Sequence, residues 1–162
     1  IALGGDSAGA NLATAACLLL KETPEYLPCF FLSIYPTLNI NNFNTDSYRK
    51  YGDIMILKAS SMEAFANRYI TCEQDTSNPL VSPLLAESFN GFPATVVITA
   101  EHDILFCDSE AFVERLRQDS VPVEWKVFPE TIHLFWGMNF MSREENGIAF
   151  AADRLRSAFC RA

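Results

Sequence analysis

Apolar residues recur along this chain in short unbroken runs separated by amphipathic or polar stretches, a rhythm that predicts alternating strands and helices. Ile1-Ala2-Leu3 reads as the end of a buried strand, and residues 12–20, apolar around the whole circumference, as a helix buried within a layered domain. Residues 29–35 form a continuous apolar run of the kind that suits a parallel sheet covered on both faces, and Pro36 ends it. From 37 to 78 the chain turns polar around one amphipathic segment at 59–70, in which Met62, Phe65, Ala66 and Tyr69 recur at helical spacing. That insertion is expected to lie over the end of the sheet as a cap. Beyond Pro93 the pattern predicts a strand at 95–100, a helix at 107–118, a strand at 123–128 and a last helix at 143–159 with a buried stripe of Ile148, Ala151, Ala152, Leu155 and Phe159. The order β-α-β-insertion-β-α-β-α implies an α/β fold, a mostly parallel sheet with helices on both faces.

Composition narrows the class. At 162 residues and 49% hydrophobic content the chain supports one domain with a sizeable core, and a net charge of -8 argues against nucleic acid as a partner. Five cysteines, without C-x-x-C spacing and mostly in apolar stretches, read as buried reduced thiols. Two histidines, neither in H-E-x-x-H, leave a zinc centre little to bind with, so no metal and no cofactor are expected. No stretch is long enough for stable membrane insertion. The chain opens on Ile1 inside a strand, and is expected to be the C-terminal part of a longer protein; a cytoplasmic location is the default expectation.

The chemistry is concentrated at Gly5-Asp6-Ser7-Ala8-Gly9, a G-x-S-x-G pattern between the first strand and the first helix. A serine hydroxyl is a weak nucleophile, and this motif lifts it onto a strained strand-to-helix turn where a histidine reaches its proton. Gly5 and Gly9 are expected to be steric necessities of that turn. The Ala8 N–H, at the helix N-terminus, is positioned to stabilise an oxyanion. A phosphate loop does not fit, since no Lys-Ser/Thr follows the glycines.

Partners for Ser7 belong at the carboxyl ends of later strands. Asp103 follows the strand at 95–100 and His133 follows the strand at 123–128, giving the chain order Ser, Asp, His of an α/β-hydrolase triad. His133 would take the serine proton and Asp103 would fix the imidazole tautomer. Glu101 and Asp108 are alternative acids; Asp108 falls in the first turn of a helix, where a carboxylate also serves by offsetting the dipole. His102 is expected to hydrogen-bond locally. Ser47-Tyr48-Arg49-Lys50 matches S-x-x-K, but no S-D-N or K-T-G accompanies it.

Taken together, Gly4 to Ala13, Ser33-Ile34-Tyr35-Pro36, Asn78 to Leu84, Ile98 to Leu105 and Phe128 to His133 resemble the hormone-sensitive-lipase-like family of α/β-hydrolases over almost the full chain. The resemblance implies Ser7 as nucleophile, Asp103 as acid and His133 as base, with the 37–78 insertion as part of a cap. Three departures stand out. The family shows Asp-Pro-Leu where this chain has Asp103-Ile104-Leu105, and His-Gly-Phe where it has His133-Leu134-Phe135. Its N-terminal half also carries a His-Gly-Gly-Gly loop that completes the oxyanion hole and is not in this sequence, so the isolated chain is expected to be weak or inactive. The implied activity is a serine carboxylesterase acting on small to medium acyl or aryl esters, with Phe31, Tyr35, Phe135 and Trp136 as an aromatic lining. A non-catalytic ligand-binding protein and an aryl amide deacetylase are the alternatives. The expected partners are a small-molecule ester and, as an open alternative, a second copy in a homodimer.

Overall fold

In the computed structural model, which describes residues 1–137 and 147–161, four parallel strands lie in the order β1-β2-β3-β4: β1 Ala2–Asp6, β2 Phe30–Ile34, β3 Thr95–His102 and β4 Val123–Ile132. Among the described residues there are also five α-helices, α1 Ala8–Leu20, α2 Asp46–Tyr51, α3 Ala59–Tyr69, α4 Phe106–Gln118 and α5 Gly147–Arg161, and four short 3-10 turns. The period of two along each strand splits the core. Phe31 and Val97 face α1 and α4, packing with Cys17, Leu18, Phe112 and Leu116, whereas Phe30, Leu32, Val96 and Ile98 face the side covered by α5 through Ala151, Phe150 and Leu155. The expected parallel α/β sheet with helices on both faces is therefore present.

Several boundaries differ. β1 runs on through Gly4 and Gly5 to Asp6, because Gly4 and Gly5 still pair with Leu32 and Ser33 of β2. β4 continues past 128 to Ile132, with a register shift between Ala100 and His102. The Glu101 carboxylate accepts the Glu130 N–H at 2.8 Å across that irregularity, so the Pro129-Glu130-Thr131 stretch belongs to an irregular continuation of the strand. α2 was not foreseen. Thr45 caps it by accepting the Tyr48 N–H, and Ser47 hooks it to the loop before α4, donating to the Ile104 carbonyl at 2.6 Å and accepting the Cys107 N–H at 3.3 Å.

Three expectations about burial need correction. α1 is covered on one side only, since Leu12 and Leu19 are more than half exposed on the side turned away from the sheet. On α5 the packed residues are Phe150, Ala151, Leu155 and Ala158, while Ile148, Ala152 and Phe159 are exposed; the predicted start of that helix, at 143, lies outside the described residues. All five cysteines are free thiols, yet only Cys17 is buried, its thiol pushed up to about 12 by desolvation; Cys29, Cys72 and Cys160 are exposed.

Candidate active site

Ser7 sits between β1 and α1 with φ 51° and ψ -119°, a conformation disfavoured for any residue with a side chain. Strain of this kind costs about 1–3 kcal/mol. It is offset by hydrogen bonds of about 1 kcal/mol each: the Ser7 N–H donates to the Ile34 carbonyl at 2.9 Å, and the Ser7 carbonyl accepts from Ala10, Asn11 and Thr37. Gly5 is a steric necessity as expected, because a Cβ there would stand 2.4 Å from the Gly9 backbone. Gly9 is not. A Cβ on it would meet only Asp6 Oδ1, at 3.9 Å, so the elbow's tightness falls on the first glycine alone.

His133 lies just beyond β4 and bridges the other two groups. Its Nδ1 is 2.6 Å from Asp103 Oδ2 and its Nε2 is 3.0 Å from Ser7 Oγ. An ionised carboxylate only accepts, so Nδ1 carries the proton and Nε2 is left to accept from the serine hydroxyl. Asp103 and His133 are almost completely buried, whereas Ser7 is half-buried and open to a cavity. Asp103 is fixed in turn by the Leu105 N–H, which donates to Oδ1 at 3.0 Å. Ala8, the first residue of α1, has an amide that its own helix cannot use, next to Ser7 and at the positive end of a 13-residue helix.

The remaining candidates fall elsewhere. Glu101 holds the Glu130 N–H three residues before the base, and Asp108 is buried in the first turn of α4, where its Oδ2 accepts the N–H groups of Leu38 and Asn39 at 2.8 and 3.0 Å. Burial raises the Asp108 pKa to about 7, partly opposed by those two amides. His102 does bond locally, its Nδ1 3.1 Å from the Tyr51 hydroxyl.

The proposed aromatic lining is corrected by the structure. A cavity of about 390 Å³ opens beside Ser7, and it is walled by Ala8, Asn11 and Leu12 of α1, Thr37 and Ile40, and Leu57, Met62, Phe65, Ala66 and Tyr69 around α3. Phe31, Tyr35, Phe135 and Trp136 are not among its walls. Phe31 is fully buried on the α1–α4 side of the sheet, where a large apolar side chain gains about 2 kcal/mol, and Tyr35, Phe135 and Trp136 pack on the α5 side. Tyr35 instead supports the base: its ring lies 4.7 Å from the imidazole, with Phe135 behind it at 5.8 Å. Burial and the nearby Asp6 and Asp103 carboxylates raise its phenol pKa, keeping it neutral. The amphipathic stripe on α3 was a usable signal for the cavity wall; the roles of Asn11, Asp108 and Ser47 had none. Leu134, where the resembled family has glycine, has φ 68°, the left-handed region that glycine adopts freely.

Among the described residues no cluster of His, Cys, Asp or Glu is arranged to hold a metal ion, and no helix is long and apolar enough to cross a membrane.

Comparison with known proteins agrees with this fold. A family model described as the alpha/beta hydrolase fold matches residues 1–137. An esterase of Acinetobacter venetianus is 32% identical over 79% of this chain and 42% of its own length. An arylesterase of Saccharolobus solfataricus is 33% identical over 89% of this chain and 47% of its own. The crystal structure of a thermostable esterase from Pseudomonas putida superimposes with a TM-score of 0.79 at 31% identity, covering 83% of this chain and 42% of that one. The chain thus spans less than half the length of each of these relatives.

Proposed function

Because this chain belongs to the hormone-sensitive-lipase-like family of α/β-hydrolases, we propose that the whole protein is a serine carboxylic-ester hydrolase acting on small to medium acyl or aryl esters through an acyl-enzyme. The observation that carries this reading is the continuous relay from Asp103 Oδ2 through His133 to Ser7 Oγ, at 2.6 and 3.0 Å.

In the proposed reaction His133 Nε2 takes the hydroxyl proton as Ser7 Oγ bonds to the ester carbonyl carbon. The resulting oxyanion is held by the Ala8 N–H and by further backbone donors, for which the family's His-Gly-Gly-Gly loop is the source in the whole protein. Collapse breaks the bond to the alcohol oxygen, which leaves with the proton from His133. Water, deprotonated by the same imidazole, then attacks the acyl-enzyme, releases the carboxylic acid and restores the serine. Asp103 keeps its negative charge throughout and stabilises the imidazolium. The carbon chain of the ester is assigned to the apolar cavity beside Ser7, with the 37–78 insertion as its cap; esterase and arylesterase relatives support that substrate class. A cytoplasmic location and a homodimer complete the proposal, the former supported by five free thiols.

The test is a panel of p-nitrophenyl acetate, butyrate and octanoate beside p-nitroacetanilide, assayed on the whole protein. Ester hydrolysis at least about 10⁶-fold above the spontaneous rate is expected, with the anilide far slower. Cleavage of the anilide alone would favour an amidase, and tight binding of every compound without turnover would favour the ligand-binding alternative.

A further inference from the structure

The strand-like segment that leaves β2, residues 37–40, has no regular secondary structure of its own, yet each of its four backbone N–H groups has an acceptor. Thr37 donates to the Ser7 carbonyl at 3.3 Å, Leu38 and Asn39 to the single oxygen Asp108 Oδ2 at 2.8 and 3.0 Å, and Ile40 to Ser82 Oγ at 3.1 Å. Two of its carbonyls are held as well, Thr37 by Asn11 Nδ2 at 2.9 Å and Leu38 by the Leu84 N–H at 3.0 Å. The fastenings come from the elbow, from the first turn of α4 and from the 78–85 turn. Thr37 and Ile40 form one wall of the cavity beside Ser7, but Asp108 does not reach it.

Burying a carboxylate at 2% exposure is costly unless its oxygens are well used. Here one oxygen holds two successive amides, which fixes the peptide planes on both sides of Leu38 and therefore the direction in which Ile40 points. The same stretch of chain, five residues earlier, carries Asp103, so the wall is tied to the acid-bearing loop and, through Ser7 and Asn11, to the nucleophile's elbow. We propose that Asp108 is a positioning residue for substrate selection: by clamping Leu38 and Asn39 it fixes the Thr37 and Ile40 wall, and so sets the length of carbon chain the site accepts. This rests on the assignment of the cavity to the ester's carbon chain.

The experiment compares the whole wild-type protein with Asp108→Ala, Asp108→Asn and Ser82→Ala. Substrates are p-nitrophenyl acetate and octanoate for the acyl side, and methyl and hexyl acetate for the alcohol side, with rates normalised to the serine titrated by a fluorophosphonate. Asp108→Asn keeps a carbonyl oxygen for both amides and is expected to hold the long-to-short ratio of kcat/KM within about twofold of wild type, whereas Asp108→Ala shifts it by about tenfold. Should Asp108→Ala fail to fold, Ser82→Ala, which removes only the acceptor for Ile40, carries the test, with a shift of about threefold in the same direction. Long and short esters scaling equally in every folded variant would overturn the inference. Wild-type protein that hydrolyses no ester, or shows no length preference in either series, would overturn instead the reading on which it rests.

Discussion

Replacing Ser7 by alanine is expected to lower ester hydrolysis by about 10⁶-fold, with no compensating change in KM. The hydroxyl is the only group in the relay that bonds to substrate, and His133 Nε2, 3.0 Å away, has no other proton to take in the first step. The fold should be indifferent to the change. The backbone bonds that hold the elbow come from the Ser7 N–H and carbonyl rather than from its side chain, and alanine pays the same penalty as serine at φ 51°. Thermal unfolding within a degree or two of wild type, together with the loss of turnover, would separate chemistry from stability. A Ser7→Ala protein retaining a tenth of wild-type activity would mean that another nucleophile does the work.

A second large effect is expected at Asp103. Asp103→Asn should reduce kcat by about 10⁴-fold while leaving KM little changed. The size follows from which side of the amide faces the imidazole. The Leu105 N–H donates to Asp103 Oδ1, so an asparagine settles with its oxygen on that side and turns its NH₂ toward His133 Nδ1. Nδ1 must then accept, the ring proton moves to Nε2, and Nε2 can no longer accept from Ser7. A steady-state comparison of Asp103→Asn with Asp108→Asn and Glu101→Gln tests the assignment directly. If Asp103→Asn kept activity within tenfold while one of the others lost it, the acid would be that other carboxylate and the proton relay described above would be wrong.

How far the sequence alone could go is clearest at these residues. The triad was legible because strand, turn and helix signals bracket Ser7 and Asp103, and because reacting groups in a parallel sheet gather at the strands' carboxyl ends. The substrate wall was not. Aromatic residues near His133 suggested a lining, but Tyr35 and Leu134 take positive φ values that turn the chain, and the Tyr35 ring packs against the imidazole with Phe135 behind it. Phe31 and Tyr35, four residues apart, share a face by the period of two, yet Phe31 is buried within β2 on the α1–α4 side while Tyr35, just past the end of that strand, packs on the α5 side. The predicted strand stops at 128 because Pro129 has no amide to donate and Glu130 is a poor strand residue, whereas in the fold the Glu101 carboxylate on the neighbouring strand holds the Glu130 N–H and the Thr131 hydroxyl holds the Phe128 carbonyl. Asp108 illustrates the remaining gap: first-turn position explains a carboxylate there, but nothing local tells that it clamps a segment 70 residues earlier in the chain.

The central claim is that Ser7 is a nucleophile activated by His133 and Asp103. It is tested most directly by reacting the whole protein with a fluorophosphonate and mapping the adduct by peptide mass spectrometry. A single phosphonyl group on Ser7, formed by wild type and lost in both Ser7→Ala and His133→Ala, is the predicted result. An adduct on a different serine, or undiminished labelling of Ser7 when His133 is replaced, would contradict it.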